Sequence, residues 1–279
     1  MSVSAPLNVL GLVGDSLRDV FGQLGSLVRI AWLWYALAAA FGLLGLVLTG
    51  NSSLTDLIAS LVGAGTVQVI LSLAVLACVV RWQRHIVLGE PLRGMAPLNG
   101  PVWRYSVWSL ALGLVCLLPV IAAGLVALAT DAITSNEMGE TPFSIDIGGI
   151  ALLGIGGVLA LLLFARLNLV LPAASVGDRS FGLKQSWLAT RSHTLQLLAL
   201  FVILLLGLGL LGAVTALVHG VIDTAAGEVT EPDVATASAV VGAALNTGVD
   251  LVTAMIGASV TARLYRDLVT AAQPAMSAR

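Results

Sequence analysis

Residues 148–172 read GGIALLGIGGVLALLLFARLNLVLP, and this stretch decides the fold. From Gly148 to Ala165 it holds no ionisable or amide side chain. A helix of about 20 apolar residues rises about 30 Å, the thickness of a bilayer's hydrocarbon core. The run 148–171 is therefore predicted to cross a membrane. Arg166 lies inside its end, where a guanidinium must snorkel to the headgroups or find a partner. Working outward, comparable runs occupy 30–50, 57–80, 106–130, 194–218 and 237–260. Six transmembrane helices predict an all-α integral membrane protein.

Composition excludes a soluble globule. The 279 residues are 58% hydrophobic and 10% charged, with a mean hydropathy of +1.01, whereas soluble domains carry about 25% charged residues. The links between the runs alternate in sign. Arg18, Arg29, Arg81, Arg84, Arg93, Arg104, Arg166, Arg179, Lys184, Arg191, Arg263, Arg266 and Arg279 all fall on one side. The other side holds Asp56, Asp131, Glu137, Glu140, Asp146, Asp223, Glu228, Glu231 and Asp233, with no base among them. This is the positive-inside pattern, and it predicts both termini and the basic links in the cytoplasm. Basic residues beside a bilayer are drawn to anionic headgroups. Arg81, Arg84, Arg104, Arg179, Lys184, Arg191, Arg263 and Arg266 are thus candidate headgroup or partner contacts. No nucleic-acid partner is expected.

The chain divides into a cytoplasmic-side amphipathic helix at 1–29, a single six-helix transmembrane domain at 30–268 and a cytoplasmic tail at 269–279. In the first part Leu10, Val13, Leu17, Val20, Phe21, Leu24 and Val28 recur at helical spacing, opposed by Asp15, Arg18, Asp19 and Gln23. Such a helix lies in the membrane interface or covers the bundle from below. It shows no signal-peptide cleavage pattern. Gly89, Pro91, Gly94, Pro97, Gly100 and Pro101 predict turns, and a short helix is expected at Leu183–Thr190. Arg81, Arg166 and Arg263 close the even-numbered spans; Arg29, Arg104 and Arg191 precede the odd ones. Three hairpins in series would give this pattern, as would any basic-rimmed hairpin protein. Close glycines (Gly42/Gly45, Gly154/Gly156/Gly157, Gly207/Gly209/Gly212) permit tight helix crossings.

Asp250 is the sharpest candidate for chemistry. It lies roughly 20 Å along span six, at 1.5 Å per residue. Exposing a carboxylate to lipid costs at least ~2.5 kcal/mol, so it should face the bundle or an aqueous cavity. Asn246 and Thr253 share its face. Arg166 is its natural partner, which predicts an Arg166–Asp250 ion pair or a polar cluster of Arg166, Asn168, Asn246, Asp250 and Thr253. Gln68, with Thr66 and Ser72, reads as interhelical glue. No catalytic residue, metal site or cofactor is expected. His85, His193 and His219 are scattered, HExxH and GxSxG patterns are absent, and Cys78 and Cys116 have no CxxC spacing.

Several motifs carry a resemblance. They are Arg166, the Leu169-Val170-Leu171-Pro172-Ala173 exit of span four, Asp178, Ser186-Trp187 and Thr190-Arg191. The basic link from Arg81 to Pro91, with Leu88-Gly89-Glu90, and the closing Ala262-Arg263-Leu264-Tyr265-Arg266-Asp267-Leu268 belong with them. Together they resemble a prokaryotic six-span family. That family is similar to the membrane domain attached to some glycerophosphodiester phosphodiesterases and to YciC-like inner-membrane proteins. The resemblance implies an all-helical domain of the prokaryotic cytoplasmic (inner) membrane and a link to membrane lipids. No phosphodiesterase activity is carried over, because no catalytic domain of that kind accompanies the motifs. The expected function is a non-catalytic membrane protein that binds lipid or stabilises an assembly of membrane proteins, itself included. The alternative is a transporter or lipid-handling protein with a polar site around Asp250 and Arg166.

Overall fold

A computed structural model describes residues 7–48, 54–92, 96–138, 147–227 and 232–270. Every regular element among them is helical. In chain order they are α1 (Val9–Gly22), α2 (Leu24–Leu48), α3 (Leu54–Leu88), α4 (Gly100–Met138), α5 (Ile147–Leu167), α6 (Val170–Val176), α7 (Leu183–Thr190), α8 (Thr194–Gly227) and α9 (Pro232–Tyr265). A 3-10 turn, Arg191–His193, joins α7 to α8, and a π turn, Arg266–Thr270, follows α9. The expected loop at 50–53, the centres of the two acidic loops, Arg93 and the tail beyond 270 lie outside the described residues.

Four stretches are long and apolar enough to cross a membrane: Gly65–Leu88, Gly100–Ala129, Ile147–Val176 and Leu183–Val221. The bent pair Val9–Gly22 and Leu24–Leu37 passes the same test jointly. Among the described residues this makes four or five segments rather than a clear six. α9 is not among these stretches; the side chains of its first half lie outside the described residues. Sequence neighbours pair with each other, α2 with α3, α4 with α5 and α8 with α9. Contacts of α3 with α9 and of α5 with α8 then join the pairs.

Three local features set the geometry. The first is a bend of 64° between α1 and α2. The Gln23 amide reaches only back to the Val20 carbonyl, at 3.2 Å, while the Gln23 carbonyl starts the next helix by accepting from Ser26 and Leu27. Gly22 and Gly25 flank the bend, and each weakens a helix interior by roughly 0.5–1 kcal/mol relative to alanine. The helix therefore breaks at residue 23, not at the boundary expected near 29, and Leu24 to Val28 belong to the next helix. Leu12, Ser16 and Val20 of α1 are buried, and α1 packs chiefly on α9 and α8. It covers the bundle from below with that stripe, leaving Leu10 and Phe21 exposed.

The second feature is the break between α5 and α6. Pro172 has no N–H to donate to the Asn168 carbonyl, and its ring crowds that oxygen, so α5 cannot run on through this turn. The Asn168 carbonyl accepts from Leu171 instead, at 3.0 Å. Pro172 is tolerated in the first turn of α6, where amides lack helical partners anyway. The third is the α4–α5 crossing. A Cβ on Gly156 would lie 2.8 Å from the Pro119 carbonyl oxygen and 2.9 Å from the Ala123 Cβ. Gly154, Gly157, Gly207, Gly209 and Gly212 face open space, so of these glycines only Gly156 makes a close crossing.

Candidate functional site

Among the described residues, the buried side chains gather at one end of the bundle, the end that carries the basic links. Val170 to Ser175 of α6 are all buried, among α3, α4 and α9. Gly177 ends α6 with φ of 84°, a left-handed conformation that costs glycine no Cβ clash. The Asp178 amide then closes the helix on the Ala173 carbonyl at 2.9 Å. This cap fixes Asp178, and three neighbouring helices grip the end of α6. Arg84 of α3 donates to the Ser175 carbonyl at 3.1 Å, and Arg104 of α4 to the Asp178 carbonyl at 2.8 Å. Tyr265 of α9 donates its hydroxyl to Asp178 Oδ2 at 2.9 Å. Cations at a helix C-terminus also meet the favourable end of its dipole.

Burial would raise the Asp178 carboxyl. Hydrogen bonds from the Ser180 hydroxyl and amide, the Tyr265 hydroxyl and the Phe181 amide outweigh it and hold the group below the usual aspartate range. Burial and the Asp178 carboxylate together push the Tyr265 hydroxyl upward. Arg84 also forms an ion pair with Glu90, and this hydrogen bond keeps the Glu90 carboxyl low. His85 Nδ1 lies 2.7 Å from the Glu90 carbonyl oxygen, which fixes the turn after α3.

Arg166 is committed nearby. Its guanidinium lies 4.1 Å above the Trp187 ring and donates to Thr194 Oγ1 from Nη2 at 2.6 Å and from Nε at 3.2 Å. Its carbonyl, left without a partner at the end of α5, accepts from Ser186 Oγ at 2.7 Å and Thr190 Oγ1 at 3.2 Å. The short helix α7 forms over the residues expected and supplies these donors. The Gln185 side chain caps it by accepting from the Gly182 amide at 3.1 Å.

The Arg166–Asp250 ion pair does not form. Arg166 is held by α7 and the start of α8, whereas Asp250 and Asn246 are exposed on α9 and Thr253 is half-buried. Asp250 lies within electrostatic reach of the Tyr35 hydroxyl, a buried oxygen with no hydrogen-bond partner among the described residues. Asn168 is buried at the α5–α6 break. The five-residue cluster is thus two separate groups, Arg166 with Asn168 near the basic end and Asn246, Asp250 and Thr253 higher on α9. Gln68 and Ser72 are exposed, and the Ser72 hydroxyl donates to the Gln68 carbonyl of its own helix.

The candidate headgroup residues also sort into two sets. Arg179, Lys184, Arg191 and Arg266 are exposed. Arg84 and Arg104 hold α6, Arg81 donates to the Pro91 carbonyl at 3.2 Å, and Arg263 binds Asp19 of α1 at 2.6 Å and Asp15 at 3.4 Å. Asp15 and Asp19 share one face of α1 at i, i+4 spacing, a signal for a basic partner that sequence alone left unassigned. Trp82 Nε1 donates to Ser259 Oγ at 2.6 Å and Gln83 Nε2 to Thr261 Oγ1 at 3.2 Å, tying α3 to α9. Nothing in the sequence singled out these two joints, because each partner lies far along the chain.

Residues 102–268 match a family described as "Domain of unknown function (DUF7847)". The chain belongs to this family. No curated protein and no solved structure gives a significant match. The DUF7847 match runs from the start of α4 to the π turn after α9 and so contains Arg104, Arg166, Asp178, Ser186, Thr190 and Tyr265. Arg84, Trp82, Asp15 and Asp19 reach into that unit from α1 and α3. Among the described residues, no three His, Cys, Asp or Glu side chains could hold a metal ion. Two cavities flank α1, of about 640 Å³ and 190 Å³, both walled by Arg263 and Arg266. A polar cavity of about 150 Å³ lies at the basic rim between α3 and α4, and an apolar groove of about 600 Å³ runs along the same two helices.

Proposed function

We propose that this chain is a non-catalytic multi-pass membrane protein that binds lipid and stabilises a membrane assembly. One observation carries the reading: four arginines at the basic end are committed to holding helices together. Arg84, Arg104, Arg166 and Arg263 spend their donors on carbonyls, a hydroxyl and carboxylates of neighbouring elements. A transport path or catalytic centre needs such groups free to exchange partners. The topology proposed with it has six spans, built on α2, α3, α4, α5–α6, α8 and α9, with both termini and the basic end in the cytoplasm of a prokaryotic inner membrane. Extraction in native lipid nanoparticles tests the function: enriched lipids or membrane proteins are expected to accompany the chain, and bulk lipid composition with no companion overturns the reading. Tags at the two termini reporting opposite compartments would overturn the topology.

A second reading, transport or lipid handling, is favoured by the exposure of Asp250 and Asn246 on α9 near the Tyr35 hydroxyl, which has no hydrogen-bond partner among the described residues. A carboxylate at that depth calls for water or a polar ligand. Asp250→Cys, made with Cys78 and Cys116 changed to serine, separates the two. Labelling by a membrane-impermeant thiol reagent supports an aqueous path, and protection supports the first reading.

A further inference from the structure

We infer that the outer face of α7 docks on the anionic headgroup layer of the leaflet at the basic end, with Trp187 and Leu188 set into that layer and Lys184 and Arg191 at lipid phosphates. The inference rests on the proposed lipid-binding function and names a lipid class and a place. α7 is amphipathic the wrong way round for water. Ser186 and Thr190 are fully buried and turn inward to the Arg166 carbonyl. The opposite face, at i, i+3, i+4 and i+7 spacing, carries Lys184, Trp187, Leu188 and Arg191, all exposed. Leu188 is 58% exposed, and Trp187 stays 39% exposed although Arg166 stacks on its ring.

The charges on this face are uncommitted. Among the described residues, the side chains of Lys184 and Arg191 make no hydrogen bond or ion pair. From Arg179 to Ile222 the sequence holds no acid. α7 packs on α5, which contributes Arg166, and on the π turn, where Asp267 faces Arg266 at 3.7 Å. Asp178, ahead of the link to α7, is held by Ser180 and Tyr265. Lys184 and Arg191 thus lack a carboxylate of their own, and anionic headgroups supply the missing charge. The face also runs on into lipid. α7 and α8 belong to one apolar stretch, Leu183–Val221, and Leu195, Leu206 and Leu210 extend its exposed side along α8. As a helix its 39 residues measure about 58 Å, against about 30 Å of hydrocarbon, so the α7 end reaches the headgroups. Tryptophan beside lysine and arginine suits that level. An acidic protein could match the charge, but Leu195, one turn past Arg191, already belongs to the exposed apolar side of α8, which makes the bilayer the neighbour.

The test uses the full chain with Cys78 and Cys116 changed to serine and a bimane label on Leu188→Cys. The chain is placed in vesicles of phosphatidylcholine alone, or of phosphatidylcholine and phosphatidylglycerol in equal amounts. Two quenchers read the label: a phosphatidylcholine with a nitroxide on its headgroup, and acrylamide in the water. The nitroxide lipid is expected to quench more than acrylamide, and more in the mixed vesicles. There Arg191→Gln should lower the ratio of docked to free face about fivefold, as about 1 kcal/mol per basic residue at an anionic surface gives, and Arg191→Lys should restore it. Quenching by acrylamide alone in both vesicles shows a solvated face and overturns the inference. Shielding from both quenchers also overturns it, because a second copy or another protein then covers the face. Lipid quenching that ignores both phosphatidylglycerol and Arg191→Gln removes the anionic preference and the inference with it. Enriched lipid in the nanoparticle extraction beside a solvated Leu188 sinks this face alone; bulk lipid in that extraction sinks the lipid-binding function whatever Leu188 reports.

Discussion

Among the described side chains, the two ends of this bundle follow different rules. At the basic end Trp82, Leu169, Leu197, Met255 and Leu264 are all buried below 2% exposure, and polar bonds cross between α3, α4, α6, α7 and α9. Along α8 toward the acidic end Leu206, Leu210, Leu217 and Val221 are about 70% exposed. The exposed faces of α4 and α5, with Leu114, Leu118, Leu125, Ile150 and Ile155, follow the same pattern. Hydrocarbon is as good a solvent for leucine as another helix, so apolar faces there gain little by pairing. Where α5 and α6 end, their last carbonyls need donors, and serine, threonine and arginine supply them. Among the described residues, specific structure is thus concentrated at the end where backbone groups run out of helical partners.

The largest effect expected from this contrast is at Trp82. Trp82→Ala should cost about 3–5 kcal/mol through the cavity it leaves, whereas Leu206→Ala should stay within about 0.5 kcal/mol. Unfolding in micelles measures both, and equal losses would erase the contrast between the ends. Arg166→Ala comes next, at about 2–4 kcal/mol from the lost ring contact and charged hydrogen bond. The charge exchange Arg166→Asp with Asp250→Arg should recover nothing beyond the single variants. Recovery would restore the ion pair that the geometry excludes. Gly156→Leu probes the crossing between α4 and α5, the closest glycine contact in the apolar part among the described residues, and should cost about 1–3 kcal/mol by overpacking.

The remaining expectations are smaller and sharpen the picture of the basic end. Asp178 is held below the ordinary aspartate value, so its contribution is fully present above about pH 3.9, the unperturbed value. It is lost as pH falls through the lowered folded-state value. Asp178→Asn should remove roughly 1 kcal/mol at neutral pH and flatten that acid limb, as read by melts across a pH series. A steeper acid limb in the variant would contradict the assignment. The smallest effect belongs to the α1 latch. Arg263 and Asp19 are partly exposed, and such pairs give about 0.2–1 kcal/mol and weaken with salt. Asp19→Asn should raise hydrogen exchange in α1 alone; faster exchange throughout the bundle would make α1 part of the core.

Much of the fold was legible because hydropathy is a sum over neighbours in sequence. The apolar run at 148–165 and the helix Leu183–Thr190 lie where local pattern put them, whereas Gly100 and Pro101, expected in turns, open α4. The break at Gln23 was less visible, since the apolar spacing continues through Val28 and only the flanking glycines mark it. The polar groups were recognised as residues that must be satisfied, but their partners were misassigned. Arg166 was matched to the nearest intramembrane acid in sign, while the structure offers it an aromatic face and a hydroxyl one link away.

By itself, the sequence determined that this chain is helical, that several of its helices are long and apolar enough for a bilayer, and that its basic and acidic links are segregated. Those properties follow from solvation of each segment and need no knowledge of its neighbours. Tertiary structure alone decided that α1 turns its Leu12, Ser16 and Val20 stripe onto α9, that α6 is clasped by Arg84, Arg104 and Tyr265, and that Arg166 and Asp250 stay apart. A long side chain can reach several helices, and only the packing of the backbones fixes which one it meets.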